Sequence, residues 1–198
     1  MDTCRKDLCE ASTRLRLHEQ WGLASGGTWS LLEGDALHLP FGSGIFDAVI
    51  CSEVLEHIPD DKNVLREIHR VMKPGSILAL SVPRYFPERI CWALSPSYRQ
   101  TPGGHIRIYR KKELIERLRQ AGFSICGRGY AHSLHTPYWW LKCLAGLDRT
   151  DHPVIRLYHR FLTWDMMERP VFFRYLERFL NPALGKSLVL YAVRSNTA

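Results

Sequence analysis

The residues of this 198-residue chain best suited to chemistry stand together in Glu53-x-x-Glu56-His57. A short helical turn would bring positions i, i+3 and i+4 to one side, so that two carboxylates and an imidazole converge. Such a set suits a hard or borderline divalent ion. A second reading needs no metal: Glu53 caps the turn and His57 works as a general base. A protease of the H-x-x-E-H type is excluded, because Glu53 stands where its first histidine is required. Downstream, Arg107 and Tyr109 alternate with Ile106 and Ile108. They are either acceptor-pocket side chains or plain strand-edge residues.

The elements that must position these residues alternate short apolar runs with amphipathic stretches, the pattern of βα units. A helix is expected over residues 6–20, then a turn at Gly26-Gly27 and a strand over Thr28–Glu33. FDAVICS (46–52) reads as a strand covered on both faces. Helix 60–72 carries Val64, Ile68 and Val71 on one stripe and stops at Lys73-Pro74-Gly75. A strand over 76–82, a Pro-rich loop from Pro83 to Gly104, a helix over 110–121 and a strand opening at Phe123 follow. Residues 132–186 hold 10 of the 22 aromatics and read as helices broken at Pro153, Pro170 and Pro182. Residues 186–194 form the last strand.

Composition narrows the class. The chain is 45% hydrophobic, 11% aromatic and 24% charged, ordinary for one globular domain. No run approaches the roughly 18 apolar residues of a membrane span, and the N-terminus lacks a secretory pattern. Cys4, Cys9, Cys51, Cys91, Cys126 and Cys143 form no C-x-x-C pair, which favours reduced thiols in a cytoplasmic protein. The net charge of +7 permits an anionic partner without demanding one.

Four motifs in order, G-D-A-x-x-L-P-F (34–41), F-D-A-V-I-C-S-E-V-L-E-H-I (46–58), V-M-K-P-G (71–75) and H-I-R-I-Y…A-G-F (105–123), resemble those of class I S-adenosylmethionine-dependent methyltransferases. The resemblance runs from residue 2 to about residue 130. It implies an α/β, Rossmann-like doubly wound sheet of order 3-2-1-4-5-7-6 with an antiparallel last strand. It also implies S-adenosylmethionine as cofactor, held by Asp2 at the ribose, Asp35 and Ala36 at the adenine, and Ser52 beneath the methionine portion. The E-x-x-E-H set is similar to one in ubiquinone-type O-methyltransferases and small-RNA 2′-O-methyltransferases. That likeness implies Glu53, Glu56, His57 and His105 as ligands of a divalent metal such as Mg2+, with His57 and His105 as the catalytic pair.

The family's first strand and glycine-rich loop should precede Asp2, and only Met1 does. An N-terminally truncated domain is therefore expected, with a core over 1–131, a helical aromatic cap over 132–186 and a final strand over 187–194. The cap, with eight basic and five acidic residues, suits an apolar lid and contact with anionic lipid. The expected reaction is methyl transfer to a hydroxyl of a small or lipid-like acceptor. Two alternatives stay open: an RNA 2′-O-methyltransferase, disfavoured by scattered basic residues, and an inactive fragment that serves as a binding module.

Overall fold

The computed structural model describes residues 4–20, 28–147, 149, 152–168 and 170–195, apart from the side chain of His18. Asp2 and the Gly26-Gly27 turn lie outside them. The chain opens with α1 (Arg5–Gln20), none of whose described residues is buried. The strand expected over Thr28–Glu33 does not form; Glu33 alone makes an isolated bridge. Then come β1 (Phe46–Ser52), α2 (Asp61–Val71), β2 (Met72–Pro83), α3 (Tyr85–Leu94), α4 (Pro96–Arg99), α5 (Lys111–Gln120) and β3 (Phe123–Ala131). The helices α6 (His135–Ala145), α7 (Pro153–Glu168) and α8 (Val171–Leu184) precede β4 (Ser187–Arg194).

The four strands make one sheet in the order β1-β2-β4-β3. β1 and β2 run parallel, with Cys51 opposite Leu80. β4 inserts antiparallel between β2 and β3, pairing Leu190 with Leu80 and with Arg128. This is the 4-5-7-6 part of the expected order, antiparallel last strand included.

Alternation within the strands decides what is buried. Leu78, Leu80 and Val82 of β2 and Leu188, Leu190 and Ala192 of β4 point to one face. There they meet Val64, Leu65 and Ile68 of α2 and Leu114 and Leu118 of α5, all in one core cluster. The expectation that β1 is covered on both faces is not met among the described residues: Ile50 is 79% exposed. α5 stops at Gln120 and is followed, after the Ala121 cap, by Gly122, whose φ of +90° suits glycine and where a Cβ would lie 2.7 Å from His69 Nε2.

Two proline readings need correction. The loop expected from Pro83 to Gly104 contains α3 and α4. Pro87 sits in the first turn of α3, where a helix needs no N–H from it. Pro182 does not break α8, which runs on to Leu184. Among the described residues no helix is long and apolar enough to cross a membrane.

Candidate active site

The sheet delivers its chemistry at the carboxyl end of β1, where parallel α/β sheets place ligands. Ser52 Oγ lies 2.9 Å from Ser81 Oγ, which in turn hydrogen-bonds Glu53 Oε1 at 2.9 Å. Glu53 holds a positive φ of 52°. The chain then tightens into a 3-10 turn over Leu55–His57 that drives Leu55 and Glu56 into the interior. The main chain of Ile106 donates to the Glu56 carbonyl at 2.9 Å, fastening the segment that carries His105 onto this turn.

Glu56 is fully buried, and neither of its carboxylate oxygens has a hydrogen-bond partner. His57 Nδ1 lies 2.9 Å from the Gly103 carbonyl and 3.2 Å from that of Gly104. Carbonyls only accept, so Nδ1 carries the proton and the Nε2 lone pair turns inward. His105 Nδ1 donates to Glu88 Oε1 at 2.5 Å, which aims its Nε2 inward as well. The two Nε2 atoms stand 3.8 Å (His57) and 4.0 Å (His105) from the same Glu56 oxygen. Three potential ligand atoms thus face one another.

Burial is the largest cause pushing the Glu56 carboxyl up to about 7, and the negative charges of Glu53 and Glu88 add to it. Glu88 is also buried, which by itself would raise it. The hydrogen bond from His105 and the nearby Lys186 outweigh burial and hold Glu88 below the usual carboxylate range. Glu88 is the residue that sequence reasoning missed. It lies on α3, inside the stretch read as a loop.

Ligand atoms of Glu56, His57 and His105 all lie within 4.8 Å of one another, and Glu53 is outside that group. Glu53 instead lines a cavity of about 370 Å3 with Ser52, Ser81, His132, His135, Trp139 and Lys186. Burial, with smaller contributions from His132 and Lys186, pushes His135 down to about 4. A neighbouring cavity of about 330 Å3 shares Trp139 and Lys186 and reaches Tyr98 and His105. Trp139 of α6 therefore walls both spaces. Phe173 instead packs against Phe161 and Trp164, and Phe172 faces outward.

Asp35 is half exposed, and its Oδ1 accepts from Leu37 N at 2.9 Å. Polar side chains of α2 hold the loop that follows: Glu67 accepts from Leu39 N, and Arg70 donates to the carbonyls of Leu39 and Phe41. The Arg70 hydrogen bond holds Glu67 down at about 2. Ala36 lines a separate apolar cavity with Phe46, Val49 and Ile68. Neither Arg107 nor Tyr109 lines either of the two cavities that Trp139 walls. Arg107 pairs with buried Asp61 at 2.8 Å, and Tyr109 is buried and donates to the same carboxylate. Residues 105–109 form no strand.

Residues 2–80 match the model of the family described as "Methyltransferase domain". The demethylmenaquinone methyltransferase of Geobacillus kaustophilus is 33% identical over 137 residues, 55% of each chain. The ubiquinone biosynthesis O-methyltransferase of Pseudomonas aeruginosa is 43% identical over 51 residues, 26% of this chain and 22% of the other. A solved Bacillus halodurans structure, a candidate methyltransferase, superposes with a TM-score of 0.58 at 17% identity, covering 98% of this chain and 81% of that one.

The family match covers two-fifths of the chain, and the likeness to the solved structures shows a methyltransferase-like α/β fold. It spans about half the length, or less, of the curated relatives it matches. The described residues place a carboxylate in the loop before β1 (Asp35) and a hydroxyl at the end of β1 (Ser52). The buried, unpartnered Glu56 carboxylate facing two imidazole lone pairs is a donor set that fits a divalent cation.

Proposed function

We propose that this chain serves methyl transfer to a hydroxyl of a small, lipid-like acceptor of the quinone-precursor kind. The observation that carries the reading is the convergence of His57 Nε2 and His105 Nε2 on one oxygen of the buried Glu56. The names of the Geobacillus and Pseudomonas relatives support the acceptor class. S-adenosylmethionine supplies an activated methyl group, with Asp35, Ala36, Ser52 and, outside the described residues, Asp2 as its proposed holders. In the transfer the sulfur–methyl bond would break with its electron pair staying on sulfur, an oxygen–methyl bond would form, and the hydroxyl's proton would pass to solvent.

Glu56, His57 and His105 are the proposed holders of a divalent cation, which when bound would lower the pKa of an acceptor hydroxyl beside it. One carboxylate and two imidazoles suit Mn2+, which accepts nitrogen ligands more readily than Mg2+ does. Glu88 orients His105 through Nδ1, and the Gly103 and Gly104 carbonyls orient His57. Trp139 and Tyr98 bound the cavity beside His105. Positioning then does most of the work.

The test is a methyl-transfer assay with a demethylated quinone precursor, run with chelator and with Glu56→Ala. Loss of activity under both treatments is expected. Activity that survives both overturns the cation, and no transfer to any phenolic acceptor overturns the reading.

A lipid-like acceptor is best met at a lipid surface, and the cap is shaped for one. On α7 and α8, Leu157, Met167, Phe172, Tyr175 and Phe179 are each 69–80% exposed. Arg156, Arg160, Arg174 and Arg178 lie on the same helices. Exposed aromatics beside arginines are the composition of an interfacial helix.

A further inference from the structure

A second convergence of ligand groups shares no residue with the Glu56 set. His132, His135 and Glu177 offer ligand atoms that all lie within 4.8 Å of one another. They come from three places in the fold: the residue after β3, the first residue of α6 and the middle of α8.

From this geometry we infer that His132, His135 and Glu177 form a binding site for a borderline transition-metal ion of the Zn2+ class. Two imidazole nitrogens and one carboxylate oxygen are the donor set of three-ligand zinc sites that keep a position open.

Two further observations point to a ligand. His135 Nδ1 is buried without a hydrogen-bond partner, a lone pair or proton that folding has stripped of water for no return within the described residues. His132 is held at a φ of 64°, unusual for a residue other than glycine, and there its ring meets that of His135 edge to face with centres 5.3 Å apart.

The scaffold is rigid enough to hold such a site. His135 N donates to the His132 carbonyl at 3.1 Å, closing a turn between the two ligands. α8 is tied to the same turn three times. Ser133 N donates to Asn181 Oδ1, Ser133 Oγ to the Glu177 carbonyl and Thr136 Oγ1 to the Leu184 carbonyl, at 3.0, 3.2 and 2.6 Å. A metal here would cross-link the cap to the end of β3. His132 and His135 also line the cavity that holds Ser52 and Glu53, so the ion's open position would face that cavity.

The probe is Co2+, whose visible absorption reports its coordination, followed by competition with Zn2+. The full chain is used with Glu56→Gln in place, so that the other cluster is disabled. One equivalent of Co2+ is expected to give a four- or five-coordinate spectrum that Zn2+ displaces. His132→Asn and Glu177→Gln, added singly, should each weaken binding by at least about tenfold. His132 is exposed and asparagine tolerates a positive φ, so the variants should keep the unfolding midpoint of the metal-free parent. Absence of a Co2+ spectrum in the Glu56→Gln chain overturns the site. So does a spectrum and affinity indifferent to both substitutions.

Discussion

His57 and His105 meet edge to face with ring centres 5.0 Å apart, each presenting Nε2 to the same oxygen of Glu56. Each imidazole is locked by what its other nitrogen touches, backbone carbonyls for His57 and the Glu88 carboxylate for His105. The inward lone pairs are therefore a property of the surrounding fold.

Glu88 should matter as much as the groups it orients. Glu88→Ala removes the acceptor that fixes the His105 tautomer, and metal affinity should fall by about 10–100-fold. Calorimetric titration with Mn2+ measures this directly. Unchanged affinity would mean that His105 is not a ligand.

The Glu56 carboxyl gives a signed pH effect. Its value in the folded chain, about 7, lies above the ordinary 4.5, so the folded state holds the proton more tightly than the unfolded chain does. That contribution to stability is complete below about pH 4.5 and is lost as pH climbs through 7. In chelator-treated protein the wild type should lose more thermal stability between pH 5 and 8 than Glu56→Gln does. Saturating Mn2+ should restore the wild type most at pH 8. Parallel pH profiles for the two proteins would contradict this assignment.

Arg107 belongs to stability and not to acceptor binding. Asp61 is buried against Arg107, Arg117 and Tyr109. Asp61→Ala should cost about 3–5 kcal/mol in chemical denaturation, since it strands buried charge. Arg107→Ala should lower stability while the acceptor KM stays where it was; a raised KM would return Arg107 to the pocket.

The exposed face of α7 and α8 predicts lipid binding. Phe172→Ser with Phe179→Ser should weaken cosedimentation with phosphatidylglycerol-containing vesicles by about tenfold or more. Both side chains are mostly exposed, 69% and 80%, so the folded state should be unaffected. Equal sedimentation of wild type and variant would remove the membrane from the account.

Local signals were the legible ones. The run FDAVICS gave β1 its observed bounds, and the stripe of Val64, Ile68 and Val71 found α2, because both patterns repeat within a few residues. Glu56 and His57 were visible for the same reason. His105 was reachable only through resemblance to known motifs. Glu88 and Lys186 were invisible, since their role depends on α3 folding back over the β2–β4 ends, a long-range event with no periodic trace. Glu53 was grouped with Glu56 by spacing, yet its positive φ swings the carboxylate to Ser81 and out of the cluster. The run Thr28–Glu33 after the Gly26-Gly27 turn reads as a strand, but a strand is stable only when neighbours pair with it.

Among the described residues, Glu53 and His132 are the two non-glycine positions with positive φ, and both line the same cavity. Each conformation costs roughly 1–2 kcal/mol, which folding by itself gives no reason to keep. The cavity wall is thus a sprung surface, held away from its relaxed shape by the sheet on one side and the cap on the other. Whatever fills that cavity meets side chains already aimed, and the energy of aiming them was supplied when the chain folded.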